Sequence, residues 1–160
     1  MQHREGSGVY TYAAKSSEEQ QVTYNGEWKQ SKKSGIGKQQ YIGVGEYYGY
    51  WENGERHGEG VMTYVNQDIY SGNWKAGKKE GQGTYVFYKT GEKYVGKFKN
   101  GMIVSGKWVY PNGTYFEGQF GYNQPKGKGS WHFANGNVVQ GSYNQTKRAD
   151  VDGDEIKLAW

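Results

Sequence analysis

The sequence predicts an all-β protein, an elongated single-layer twisted antiparallel sheet of about twelve strands in stacked β-hairpins, with no substantial helix. Three observations predict it. Among 160 residues there are 27 glycines, 16 Tyr, 6 Trp and 5 Phe, while Leu158 is the only leucine. A short glycine-aromatic pattern returns at a nearly constant interval, the mark of a repeat architecture. Within each copy the side chains alternate with a period of two, which is strand spacing and not helix spacing.

The chain opens on the second half of a repeat, residues 6–12, with Gly6 and Gly8 in "GSGVYTY", followed by a polar insertion, "AAKSSEEQQ". Full repeats start at about residues 24, 47, 70, 94 and 116, and a partial one at 139. The central glycine of each Y-x-G-x-W element falls at Gly26, Gly49, Gly72, Gly96, Gly118 and Gly141. A G-x-G element follows at Gly35/Gly37, Gly58/Gly60, Gly81/Gly83 and Gly127/Gly129. The fourth repeat keeps only Gly106, with Val104 in place of the first glycine. Residues 1–143 therefore form the repeat sheet, and 144–160 read as an acidic, non-repeat C-terminal tail.

In "YSGNW", Tyr70, Gly72 and Trp74 share one strand face; in "GQGTYVFY", Gly81, Gly83, Tyr85 and Phe87 do the same. Glycine at this density would cost a helix about 1 kcal/mol per position. The dipeptides Asn53-Gly54, Asn100-Gly101, Asn112-Gly113 and Asn135-Gly136 tolerate positive φ and are expected in the tight turns between the two halves of each hairpin. A glycine inside a strand weakens it unless something approaches closely. Here a ring from a neighbouring strand is expected to fill the space left by the missing Cβ. Such ring contacts contribute about 0.5 to 1.5 kcal/mol beyond burial, enough to offset a glycine penalty of roughly 0.5 to 1 kcal/mol. Too few aliphatic residues remain for a thick core with buried helices.

These residues resemble the MORN repeat family, whose unit reads approximately Y-x-G-x-W-x-x-G-x-x-x-G-x-G; "YYGYWENGERHGEGVMTY" and "YSGNWKAGKKEGQGTY" follow it almost throughout. The stretch from His57 to Tyr143 looks most like the radial-spoke head MORN proteins of motile cilia and flagella. "YVNQDIYSGNW", "YKTGEKYVGKF", the degenerate fourth repeat and "NQPKGKGSWHF" carry that likeness. The resemblance implies a non-enzymatic scaffold without cofactor, located in the cytoskeleton of a ciliary or flagellar axoneme. Its implied partners are other radial-spoke head proteins and a second copy of itself.

Other function classes find little footing. His3, His57 and His132 stand on different elements with no relay spacing, and no metal site is expected. "GMIVSGKW" and the run Gly72 to Lys78 mimic phosphate-loop spacing, but the repeat grid generates that spacing by itself. Asp150, Asp152 and Asp154 imitate the start of a calcium loop, yet Glu155 stands where such a loop needs glycine. Zero cysteines and no apolar leader point to a cytoplasmic protein.

Three surfaces are candidates for binding. The aromatic face, Tyr24, Trp28, Tyr47, Trp51, Tyr70, Trp74, Tyr85, Tyr94, Phe98, Trp108 and Trp131, is expected both to hold the sheet together and to offer rings to a partner protein. Lysines gather at one class of turn, Lys29, Lys32, Lys33, Lys75, Lys78 and Lys79, with further ones near residues 97–99 and 126–128. That edge is either simply solvated or a site for acidic proteins or anionic membrane lipid; nucleic acid is not expected, because no recognition module accompanies the charge. In the terminal "IKLAW", Leu158 and Trp160 are candidate anchors, the alternative being a frayed end.

Overall fold

The structure, a computed structural model, describes residues 4–12, 22–147 and 156–159. The insertion 13–21, His3, the acidic run 148–155 and Trp160 lie outside the described residues. The strands are β1 (Gly6–Thr11), β2 (Thr23–Lys29), β3 (Lys32–Tyr41), β4 (Gly45–Glu52), β5 (Glu55–Tyr64), β6 (Ile69–Lys75) and β7 (Lys78–Val86). They continue as β8 (Lys93–Lys99), β9 (Met102–Val109), β10 (Tyr115–Gly121), β11 (Gln124–His132), β12 (Val138–Lys147) and β13 (Ile156–Ala159). Each pairs antiparallel with the next in chain order, and no helix occurs among the described residues. The fold is the expected open sheet of stacked hairpins.

Register explains the glycine spacing. Gly8, Gly26, Gly37, Gly49, Gly60, Gly72, Gly83, Gly96, Gly106, Gly118, Gly129 and Gly141 stand opposite one another strand after strand, one in each of β1 to β12. Along this row the strands bend. Lys33 and Gln39, six residues apart on β3, hydrogen-bond through their side chains, whereas a straight strand would hold them about 20 Å apart. Tyr24 and Trp28 on β2 bring their ring centroids to 5.1 Å, against about 13 Å in a straight strand. The hairpins β2–β3, β4–β5, β6–β7 and β10–β11 are folded about the glycine row, rings inside, as the contacts Tyr24–Trp28, Tyr47–Trp51, Tyr70–Trp74 and Phe116–Phe120 show.

Three glycine roles emerge. The second glycine of G-x-G receives a ring: a Cβ on Gly37 would lie 2.3 Å from Tyr24 Oη, and one on Gly60 would lie 2.2 Å from Tyr47 Oη. The ring comes from the first strand of the same hairpin, not from an adjacent hairpin. The first glycine, as at Gly35 with φ +59°, is one of the two extra residues of a β-bulge, Gly35 and Ile36, where the register of β2 and β3 shifts after Gly26. The glycine of Y-x-G-x-W instead faces backbone, as a Cβ on Gly49 would meet Gly60 Cα at 2.4 Å.

Two expectations about local structure need correction. Asn112-Gly113 and Asn135-Gly136 lie in the longer connections between hairpins, at 110–114 and 133–137, while the tight turns inside hairpins include Gln30-Ser31, Ala76-Gly77 and Tyr122-Asn123. The repeat sheet also does not end at 143. β12 runs on to Lys147, and β13 pairs back onto it, placing Leu158 opposite Gln145.

Candidate interaction surface

The rings form a zipper along the folded sheet. Trp28, Tyr24, Trp51, Tyr47, Trp74, Tyr70 and Phe98 touch in that order, edge to face, with centroids 5.0 to 5.3 Å apart. A second run joins Tyr94, Phe120, Phe116 and Tyr143 at 5.2 to 5.8 Å. Edge-to-face contact sets the positive rim of one ring against the negative face of the next, the arrangement aromatic quadrupoles favour. Five polar tips of the first run are satisfied by backbone. The hydroxyls of Tyr24, Tyr47 and Tyr70 donate to the carbonyls of Glu27, Tyr50 and Asn73, and the indole N–H of Trp51 and Trp74 donate to Gly37 and Gly60.

This packing corrects the expected aromatic docking surface. Tyr24, Trp28, Tyr47, Trp51, Tyr70, Trp74, Tyr94 and Phe98 are buried, so they hold the hairpins shut and are closed to a partner. Tyr85, Trp108 and Trp131 are half-buried at the margin of the same cluster. The rings actually presented to solvent include Tyr48, 56% exposed, and Tyr50, 49% exposed, on the opposite, outer face. With Ile36, Val61 and Asn73 they flank the glycine row, where the outward bend splays side chains apart and leaves a shallow hollow of about 430 Å³.

The lysine edge divides likewise. Lys29, Lys32, Lys75 and Lys78 are exposed beside the tight turns. Lys33 and Lys79 are not on that edge, because the fold of the hairpin carries them inward over the rings. Lys33 Nζ lies 4.6 Å from the Trp51 ring and Lys79 Nζ 4.7 Å from Tyr85. Arg56, unremarked in the sequence reading, completes the row with its guanidinium 4.5 Å from Trp74. The signal was present: Lys33, Arg56 and Lys79 each stand five residues after Trp28, Trp51 and Trp74. Burial, and the charge of Arg56, lower the pKa of Lys33 and Lys79. Asp68 was also missed; it is buried and accepts from the Tyr85 hydroxyl, the Asn66 amide and the Tyr88 N–H.

Burial raises the tyrosine pKa values, to about 12 for Tyr24, Tyr94 and Tyr110 and further for Tyr47, Tyr70 and Tyr85. Above pH 10 the unfolded chain releases phenolic protons that the folded chain keeps. Stability from these groups is thus full below pH 10 and is lost as pH rises through about 12. Thermal melts from pH 9 to 12 should show a falling midpoint, with tyrosinate absorbance at 295 nm rising at the unfolding transition. A midpoint flat to pH 12 would contradict burial of these hydroxyls.

Among the described residues no group of three or more His, Asp and Glu could hold a metal ion, and no helix is long and apolar enough to cross a membrane. His132 stacks on Tyr115 on the outer face at 4.5 Å, and His57 pairs with Glu52. What fold and surface define is a single-layer repeat protein whose inner face is self-filled and whose outer face and turns are open to contacts. The MORN repeat pattern matches residues 3–17, 24–42, 47–69, 70–91, 94–115 and 116–138, and the chain belongs to the MORN-repeat family. That family comprises repeat proteins of protein interaction or membrane binding that are generally non-enzymatic scaffolds. No curated protein matches the chain.

Proposed function

We propose that this MORN sheet is a non-catalytic scaffold of the axonemal radial spoke head in motile cilia or flagella, bound to other spoke-head proteins and to a second copy of itself. The observation that carries the reading is the division of labour between faces. Rings lock the inner side, so the sheet keeps its shape without a partner, while the outer face holds exposed Tyr48, Tyr50, Ile36 and Val61 around an open row of backbone. Exposed aromatic patches of this kind mark protein contacts. The likeness of residues 57–143 to spoke-head MORN proteins supplies the cellular setting. In purified axonemes, the chain should be retained through salt washes and depart together with other spoke-head proteins. Its absence from axonemes, or its extraction with those proteins still in place, would overturn the proposal.

A second reading rests on the exposed turn lysines Lys29, Lys32, Lys75 and Lys78: a peripheral adaptor on anionic membrane lipid or on an acidic cytoskeletal or motor-protein tail. The isolated chain would then sediment with phosphatidylserine-containing vesicles, less so as salt rises, and not with neutral ones.

A further inference from the structure

Lys33, Arg56 and Lys79 occupy one repeat position, but their surroundings differ. Lys33 donates to the side-chain oxygen of Gln39, and Arg56 Nη2 donates to the Gly77 carbonyl at 2.6 Å. At the third copy, Tyr85 stands where Gln39 stood. Among the described residues Lys79 Nζ makes no hydrogen bond, and its neighbours are the rings of Tyr85, Tyr70, Phe98 and Tyr64 at 4.7, 5.5, 5.8 and 5.9 Å. Rings attract the ammonium but accept none of its three protons in a conventional hydrogen bond. An ammonium half withdrawn from water and without an acceptor carries a cost that an anion would relieve.

The zipper breaks at the same place. Tyr94 does not fold back onto its own strand as Tyr24, Tyr47 and Tyr70 do; its hydroxyl donates to the Asn123 carbonyl at 2.9 Å. Phe98 and Tyr94, the pair that would continue the ring sequence, make no ring contact, and a cavity of about 230 Å³ opens between them. Lys79 and Phe87 form further wall, with Asn123 and Gln124 beside them. Asn123 Oδ1 is already taken by the Ile103 N–H, which leaves its NH₂ to donate, and the Gln124 side chain makes no hydrogen bond among the described residues.

We propose that this gap is a socket for a glutamate side chain presented by an extended segment of a partner protein, its carboxylate on Lys79 and the amides of Asn123 and Gln124, its stem between Phe98 and Tyr94. The cavity is smaller than the roughly 300 Å³ at which small-molecule sites begin, so it suits one side chain. The rings of Tyr85, Phe87, Tyr94 and Phe98 line it, which fits a carboxylate carried on methylenes and not a free inorganic anion. The assignment does not depend on the ciliary reading.

The probes are two blocked peptides, acetyl-Gly-Phe-Glu-Phe-Gly-amide and its Gln counterpart, titrated into the full chain by calorimetry. The Glu peptide should bind at least about ten-fold more tightly, the scale of one charge-assisted hydrogen bond. Lys79→Met keeps an unbranched stem beneath the rings and should abolish the preference, whereas Lys33→Met should leave it intact. Labelling with acetic anhydride, read by mass spectrometry, gives a measurement independent of whether Lys79→Met folds: the Glu peptide should protect Lys79 and not its exposed neighbour Lys78. Equal binding of the two peptides, no binding of either, a preference that survives in Lys79→Met, or displacement by inorganic phosphate at similar concentration would each overturn the socket.

Discussion

Gly60→Val should unfold at a much lower denaturant midpoint than the parent chain, at a cost of about 3 kcal/mol. The cause is steric. A Cβ at Gly60 would sit 2.2 Å from Tyr47 Oη, 2.5 Å from Cζ and 2.6 Å from Cε2, so the ring must leave the fold of its hairpin. Overpacking of this kind costs about 1 to 3 kcal/mol, and the displaced ring also gives up the Tyr50 carbonyl and its contacts with Trp51 and Trp74. Backbone strain does not enter, since Gly60 is not among the positive-φ glycines. Gly141 stands in the same row on β12, also outside the positive-φ set, with nothing within 4 Å of its would-be Cβ. Gly141→Val should therefore change stability by less than about 0.5 kcal/mol. Adding Tyr47→Ala to Gly60→Val should cost much less than the two substitutions summed, because both empty one contact. Equal midpoints for Gly60→Val and Gly141→Val would refute ring occupancy.

That control shows which part of the fold was legible. Period-two alternation fixes the face on which Tyr70, Gly72 and Trp74 lie, and the constant repeat step fixes their neighbours. Strand order and the glycine row follow from those two facts alone. The bend does not. Alternation describes a straight strand, on which Lys33 and Trp28 point into the same half-space without meeting Tyr12. Only after folding about the row does the Lys33 ammonium come within 5.6 Å of the Tyr12 ring, so the lysine that reads as solvated is drawn inside. For the same reason, a row of rings that looks on paper like a flat docking surface turns out to be its own packing partner.

Turn chemistry was legible in part. Asn53-Gly54 and Asn100-Gly101 close hairpins as their composition demands, with φ of 52° and 90°, and 50° and 90°. Gln30-Ser31 adopts the same left-handed pair, at 49° and 62°, with neither asparagine nor glycine. There the strands on either side decide, since the bulge and the paired glycines already set where the chain must reverse. The fourth repeat shows the converse. Val104 in place of a bulge glycine is visible in the sequence, but the released Tyr94 ring depends on Asn123, 29 residues on, and no local pattern announces it.

Trp74→Ala is the second large effect expected. Trp74 is 4% exposed, its ring lies edge to face with Tyr47 and Tyr70 at 5.2 Å each, its N–H reaches the Gly60 carbonyl at 3.2 Å, and Arg56 rests 4.5 Å from its centroid. Truncation removes a link common to two hairpins and leaves a cavity that neighbouring rings cannot close. The cost should be about 3 to 5 kcal/mol by chemical denaturation. Trp74→Phe tests the components separately: Phe98 holds the equivalent place one repeat on, so a phenyl ring is accommodated, and the loss is the N–H bond plus the smaller volume of the ring, about 1 to 3 kcal/mol and less than in Trp74→Ala. Because repeats contact nearest neighbours, the damage in Trp74→Ala should stay local. Amide hydrogen exchange should accelerate in β4 to β7 while β10 and β11 keep their protection. Loss below about 1 kcal/mol, or exchange rising uniformly from β2 to β12, would mean that the rings do not carry the sheet.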